Sequence, residues 1–373
     1  MIAALAERVR QKGSELGFAM VGYSPAARAP RAAAFRDWLG RGFAGEMRYM
    51  AERPEHREDV TLRSPWARTV VSAAIHYGTA SRPGPRDGPG ISGLVSRYAL
   101  GEDYHRVLKE RLGLLARFLK DEAGGRIEAR VLVDTSAILE RDHAARAGIG
   151  WTGKNAMMID PHAGSWFFLG EILTEAAIDP DAPMEDMCGT CARCIEACPT
   201  AAIVAPHVVD ASRCISYLNI ELRGAAGREH RTAIGDRLFG CDVCQEVCPW
   251  NRLAPPETDP AFGPAEAVET ISLADTVRLD TPTFAARFRR TALARAGRGG
   301  LVRNALVVAA NVAHEEALEA GAEAVGDPDP GVRETAIWAL GKGGSKLKQI
   351  AVRAAEREPD PALRAAMRAA LEG

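Results

Sequence analysis

The sequence predicts a mixed α/β (α+β) fold followed by an all-helical tail, on three observations. Short apolar strands alternate with helical stretches over the first half of the chain. All eight cysteines are crowded between Cys188 and Cys248. Near the end of the chain an arginine recurs at 303, 333 and 364, a period of about 30 residues.

Taken in order, FAMVGY (18–23), ended by Ser24-Pro25, and RTVVSAAIH (68–76) read as strands. So do IEARVLV (127–133), Trp166 to Leu169, and Ile172 to Ile178, with a helix over Asp103 to Glu122. SRPGPRDGPG (81–90) predicts a surface loop and DPDAP (179–183) a boundary. A length of 373 residues suggests two or three domains. The net charge of −2 excludes a globally basic nucleic-acid protein but not a local basic patch. Met1 to Phe18 mixes charged with apolar residues, as an amphipathic helix does and a signal-peptide core does not. No apolar run is long enough to span a bilayer, so the chain is expected in the cytoplasm with no membrane association.

The cysteine spacing carries the first chemistry. Cys188, Cys191, Cys194 and Cys198 form C-x2-C-x2-C-x3-C before Pro199, the bacterial ferredoxin run for a 4Fe–4S cluster. In two-cluster ferredoxins the cysteine before the proline ligates the other cluster. A second run, Cys241, Cys244 and Cys248 before Pro249, is one cysteine short, and Cys214 is the only thiol left to fill it. One cluster is therefore assigned to Cys188, Cys191, Cys194 and Cys248, the other to Cys198, Cys214, Cys241 and Cys244. Paired zinc knuckles are the alternative, since C-x2-C also binds zinc, but the C-P endings and overlapping runs fit cubanes better. Two clusters mean one-electron transfer.

The organisation that results is a catalytic domain over 1–180, a ferredoxin-like domain with two 4Fe–4S clusters over 181–254, a linker over 255–280 and HEAT-like helical repeats over 281–373. Between Phe284 and Arg303 stand six arginines and no acid. This stripe is either a solvated helical face or a phosphate-binding surface.

The strand 127–133 runs into Asp134-Thr135-Ser136. Ligands commonly sit at such strand ends, although on pattern alone Asp134 or Ser136 as a helix N-cap is the favoured reading. Downstream, GIGWTGKN (148–155) is glycine-rich but has neither the Walker spacing nor the dinucleotide fingerprint. All eight thiols are used, so no cysteine nucleophile remains. Two electron carriers, an acid and a glycine loop describe a reductase.

Several motifs, in this order, resemble the epoxyqueuosine reductase family. They are SRYALGEDYH (96–105), VDTS with ILER (133–141), GIGWTGKN (148–155), GSWFFLGE (164–171), RCISYL (213–218) and CPWN (248–251), with the cysteine runs and the closing array. The resemblance covers nearly the whole chain. It implies a cobalamin-binding reductase domain with a fold related to reductive dehalogenases. It implies reduction of epoxyqueuosine to queuosine at the tRNA wobble position, with electrons passing through two 4Fe–4S clusters to cobalamin. The carried-over catalytic acid is Asp134, which must be protonated when the epoxide oxygen leaves; burial beside the corrin would favour that. Candidate cobalamin contacts are Arg57, Tyr98, Tyr104, His105, Asp134, Lys154, Asn155, Ser165 and Leu169. Arg57 reads otherwise as a surface charge and His105 as a core histidine; no D-x-H-x-x-G pattern supplies a histidine to cobalt. Candidate tRNA contacts are Ser216, Arg223, Arg289, Arg290 and Arg298. Here the stripe is all arginine, where the family's includes lysine. An external donor such as a flavodoxin or ferredoxin is implied, and a monomer is expected. The competing readings are a reductive dehalogenase and a ferredoxin-like electron carrier; the first lacks its usual export signal and the second leaves the first 175 residues idle.

Overall fold

The computed structural model describes residues 2–78, 93–255 and 259–372. The loop expected at 81–90 lies outside the described residues. The chain forms two compact units rather than a linear series of domains. One comprises Met1–Ala80, Glu102–Ala211 and Val243–Gly263; the other comprises Ser81–Gly101, Ser212–Asp242 and Pro264–Gly373.

The first unit is built on a four-stranded sheet, in the spatial order Met20–Pro25, Thr69–His76, Phe167–Thr174 and Ala129–Leu132. Every neighbouring pair is antiparallel. The two strands expected at 166–169 and 172–178 are one continuous strand, because nothing between Phe167 and Thr174 breaks the pairing with Thr69–His76. The strand Thr69–His76 is buried over all but its last residue, with Val70, Val71, Ala73 and Ala74 among its apolar members, as a strand covered on both faces is. On one face lies the helix Tyr104–Glu122, which buries Val107, Leu108, Leu112, Leu115, Ala116 and Leu119 at three- and four-residue spacing. It crosses closely over Gly170, where a Cβ would meet Leu112. The other face takes the short helix Glu140–Arg146: Ala144 and Ala147 pack with Ala74, Ile149, Met158 and Phe167. The amphipathic N-terminal helix Ile2–Glu15 buries Ala6 and Val9, and Tyr23 donates to the Ala6 carbonyl at 2.7 Å.

The second unit contains the helices Gly297–Asn311, Glu315–Ala324, Pro330–Gly341, Ser345–Arg357 and Pro361–Glu372. Asp329 caps the third of these through the amides of Gly331 and Val332, with Pro330 in the first turn, and Pro361 likewise opens the fifth. Two of the three recurring arginines are structural: Arg333 makes a two-pronged pair with Glu358, at 2.8 and 3.0 Å, and buried Arg303 donates to the Leu222 carbonyl. The linker expected over 255–280 is different from its reading. Among the described residues it forms the helices Glu266–Glu269 and Leu273–Val277 and buries Val268, Ile271, Leu273, Val277 and Leu279. The proline and acid content hid an apolar set spaced to join the helical core.

Candidate active site and cysteine cavity

Asp134 follows the last residues of the edge strand and adopts a left-handed backbone, φ +33°. Aspartate tolerates that region better than most residues, and such strain collects at functional sites. It caps no helix, since the next helix begins only at Glu140. Its side chain instead accepts two bonds at one oxygen: Tyr104 Oη donates to Oδ2 at 2.7 Å, and His105 Nε2 lies 3.0 Å from the same atom. The other ring nitrogen, Nδ1, sits 2.8 Å from Asp103 Oδ1, and Asp103 also caps the helix carrying both residues. His105 is thus held between two carboxylates, and no nitrogen of it is free to ligate a metal. Burial pulls the His105 pKa down, but the bonds and charges of Asp103 and Asp134 outweigh this and lift it to about 9.

The Asp134 carboxyl is pushed up by its crowded surroundings. Hydrogen bonds from His105 and Tyr104, with the charges of His105 and Arg141, overcome this and hold it below its ordinary value. Asp134 therefore stands as a carboxylate beside an imidazolium, and its side chain is 47% exposed. Tyr104 is fixed by stacking on Phe168, ring centres 4.4 Å apart and nearly parallel, and Phe168 in turn meets Phe262. Arg57 is buried and is no surface charge. It donates to the carbonyls of Ser136, at 3.1 Å, and Tyr49, and so ties down the loop after Asp134. Leu169 is half-buried against Ala144 and Ala147.

Other predicted cofactor contacts are spent on the cysteine loops. Lys154 Nζ donates to the carbonyls of Gly189, at 2.6 Å, and Cys191, at 2.9 Å. Asn155 donates to the Cys244 carbonyl at 3.2 Å. Ser165 binds Gln245 and Asn251 through its hydroxyl and Asn251 through its amide. Cys188, Cys191, Cys194 and Cys248 line one cavity together with Lys154, Asn155, Ile159, Pro249 and Trp250. Burial, with the neighbouring thiols, pushes Cys194 and Cys248 up. A set of soft sulfur donors in an apolar hollow fits an iron–sulfur cluster. Trp151 Nε1 lies 3.5 Å from Cys188 Sγ, and its ring packs edge-on against Trp250. Sequence reasoning gave Trp151 no role; its place in the glycine loop was the only signal. Cys198 accepts from the amide of Ala202 at 3.2 Å, and Cys214 and Cys241 lie in the second unit.

Tyr98 belongs to the second unit, its ring tilted against Phe239. The arginine stripe, in that same unit, separates into two kinds. Arg298 is held by Asp327, at 2.6 Å, and by the Leu279 carbonyl, Arg295 by Glu221, and Arg223 by the carbonyls of Arg295 and Ala296. Arg289 and Arg290 follow the helix Thr281–Phe288, are exposed, and have no ion-pair partner among the described residues. Ser216 lies in the helix Ile215–Ile220 and is half-buried.

Three family descriptions match the chain: epoxyqueuosine reductase QueG, DUF1730, over residues 57–135; 4Fe-4S double cluster binding domain over 187–251; and HEAT repeats over 290–372. The epoxyqueuosine reductase of Xanthomonas campestris pv. campestris is 38% identical over 342 residues, covering 91% of this chain and 96% of that protein. That of Escherichia coli K12 is 36% identical over 90% of this chain and 89% of its own. Among solved structures, an epoxyqueuosine reductase with a tRNA-Tyr epoxyqueuosine-modified stem loop superposes with a TM-score of 0.93, at 32% identity, covering 100% and 99% of the two chains. A Bacillus subtilis epoxyqueuosine reductase whose aspartate catalytic loop is swung out of the active site gives 0.92 at 31% identity, with the same coverage. The chain belongs to the epoxyqueuosine reductase family.

Proposed function

We propose that this chain reduces epoxyqueuosine to queuosine in tRNA, with Asp134 as the residue that passes protons to the epoxide oxygen. The observation that carries the reading is the Tyr104–Asp134–His105 constellation on a chain 38% identical to a curated epoxyqueuosine reductase along 91% of its length. Removing the oxygen as water takes two electrons and two protons. An alkoxide leaves poorly, so a proton must reach it as the carbon–oxygen bond opens. Here that proton rests on His105 Nε2, 3.0 Å from Asp134 Oδ2. An emerging alkoxide is far more basic than either group. It draws the proton through Asp134, which need not be neutral beforehand. Tyr104 fixes the same oxygen and Arg57 the loop behind it, so the acid is aimed before substrate arrives.

The half-exposed acid beside the Tyr104–Phe168 stack is the proposed place of a bound corrin; Asp134, Tyr104, His105 and Leu169 are its candidate neighbours in the first unit. Cobalamin supplies a strongly reducing metal centre when bound. Cys188, Cys191, Cys194 and Cys248 are the proposed ligands of one 4Fe–4S cluster, and Cys198, Cys214, Cys241 and Cys244 of the other, the second set resting on spacing. Lys154, Asn155 and Trp151 brace the loops that hold the first. Arg289 and Arg290 are the stripe residues with charge to spare for tRNA phosphates. An external donor such as a flavodoxin or ferredoxin supplies the electrons. Among the described residues no helix is long and apolar enough to cross a membrane. Nucleoside analysis of tRNA from cells lacking this chain tests the proposal: epoxyqueuosine accumulates and queuosine returns on complementation, whereas undiminished queuosine in the deleted cells overturns it.

A further inference from the structure

The His105–Asp134 pair carries one transferable proton, and the reaction consumes two. The structure places a second acid behind the first. Glu171 stands in the middle of the strand Phe167–Thr174, opposite Leu132 on the edge strand and Ser72 on the central one. A strand's side chains alternate, so Leu169, Glu171 and Leu173 share a face. Leu173 packs with Leu132 and Ile138, and Leu169 against Ala144 and Ala147. Between those two contacts Glu171 faces the start of the helix Glu140–Arg146. It is completely buried, and neither carboxyl oxygen has a hydrogen-bond partner. Ser72 Oγ beside it and Glu140 Oε2 are likewise unpartnered. A buried carboxylate without a donor is among the costliest groups a core can hold, whereas a neutral carboxyl there costs far less.

Resting on the function proposed above, we propose that Glu171, acting through Glu140 and Asp134, stores and delivers the second proton of the reaction. Glu171 is a relay residue and does not touch substrate. After the first proton has opened the epoxide to a hydroxyl, Asp134 is again a carboxylate. The Glu171 O–H bond breaks as Glu140 takes the proton, Glu140 passes it to Asp134, and Asp134 gives it to the hydroxyl. The second carbon–oxygen bond then breaks, the alkene forms, and water leaves. The two electrons come from the external donor, and solvent refills the carboxyls through half-buried Glu140. The charges fit this direction of flow. Burial, then the nearby Glu140 and Asp134, push Glu171 well above the ordinary carboxyl range. Burial and the Asp134 charge raise Glu140 to about 7, against the lowering effects of Arg141, His105 and Arg57. Ser72 is the neutral neighbour on the sheet side. The charge in an otherwise apolar strand was visible in the sequence, but not what it faced.

Infrared spectroscopy of the purified chain, without substrate, reads the proton directly. At about pH 8 a protonated-carboxyl band that shifts in D2O is expected, and Glu171→Gln should remove it. Absence of the band from the unaltered protein, or its survival in the variant, overturns the proposal. On epoxyqueuosine-containing tRNA, Glu171→Gln should lower turnover about ten-fold or more at pH 8, by less as pH falls, with KM unchanged. A variant with unaltered pH profile overturns it. Should Glu171→Gln not fold, Glu140→Gln is the second variant, for which the same alkaline loss is expected while the Glu171 band persists; a Glu140→Gln protein with an unchanged alkaline limb overturns the relay. Failure of the unaltered protein to reduce epoxyqueuosine at all would instead strike the proposed function, a result separable from the substrate-free spectrum.

Discussion

The Asp134 loop and the loops of the cysteine cavity are held in opposite ways within one unit. Around the thiols, Lys154 and Asn155 reach backbone carbonyls of the cysteine loops, Ser165 bonds the side chains of Gln245 and Asn251, and Trp151 lies against Cys188 Sγ. Such bonds spread the hold on the loops over several side chains from different stretches of the chain. Asp134 rests on a left-handed backbone and half open to solvent, and its main ties are side-chain bonds from Tyr104 and His105. The lesson is one of task. An electron carrier works best when its surroundings do not rearrange, whereas the proton transfer proposed at Asp134 runs through side-chain hydrogen bonds and so depends on the side chains that make them.

The largest effect should come from breaking the proton side. Asp134→Asn keeps the shape and the Tyr104 bond but cannot carry a proton. Turnover on epoxyqueuosine-containing tRNA should fall by about a hundred-fold or more, with cluster absorbance and cobalamin binding retained. Retained activity would reduce Asp134 to a loop anchor. Next in size is the electron side: Lys154→Met deletes two bonds to the cysteine loop. Iron content after purification should fall, and the loss of turnover should track it, as measured by iron and sulfide analysis against rate.

Much of this contrast was legible in the sequence, and what was hidden has physical causes. Spacing alone grouped Cys248 with Cys188, Cys191 and Cys194, because proline-terminated runs constrain where thiolates can converge. Lys154, Asn155 and Ser165 were found as motif residues, yet pattern cannot say which partner a long polar side chain reaches, and theirs are the cysteine loops. The Asp134 loop was found, but not its partners: burial beside the corrin was the only influence weighed on the acid, and pattern gave no sign of the imidazolium that His105 becomes between two carboxylates. Arg57 hid its burial, since a lone arginine in a polar run gives no sign that it is turned inward to bond Ser136 and Tyr49. The helices within 255–280 were masked by composition, because prolines and acids marked the turns while Leu273 and Val277 did the packing.

The arginine stripe extends the comparison to the second unit, with smaller effects. Arg289→Ala with Arg290→Ala should weaken tRNA binding and reduce the magnitude of its log–log salt slope by up to about two, if each neutralises one phosphate. Arg298→Ala should act otherwise. Its guanidinium neutralises the buried Asp327 and caps the Leu279 carbonyl, so its loss should lower the thermal midpoint and leave the salt slope nearly unchanged. Equal slopes for the two variants would show that the stripe acts as one surface.

The smallest effect distinguishes the His105 clamp from the carboxyls behind it, through the dependence of stability on pH. His105 has a folded pKa of about 9, above its unfolded value near 6.5. Its contribution is fully present below about pH 6.5 and is lost as pH rises through 9. Glu140 is also raised, to about 7, so its burial costs least while it is protonated, and the cost grows as pH rises above its unfolded value. The two windows are adjacent: roughly pH 4.5 to 7 for Glu140 and 6.5 to 9 for His105. The thermal midpoint should therefore decline across both. His105→Gln should flatten the upper part of that decline and leave the lower part, while Glu140→Gln should do the reverse. A His105→Gln protein whose midpoint still falls between about pH 7 and 9 as steeply as before would show that the imidazolium between Asp103 and Asp134 does not hold this loop.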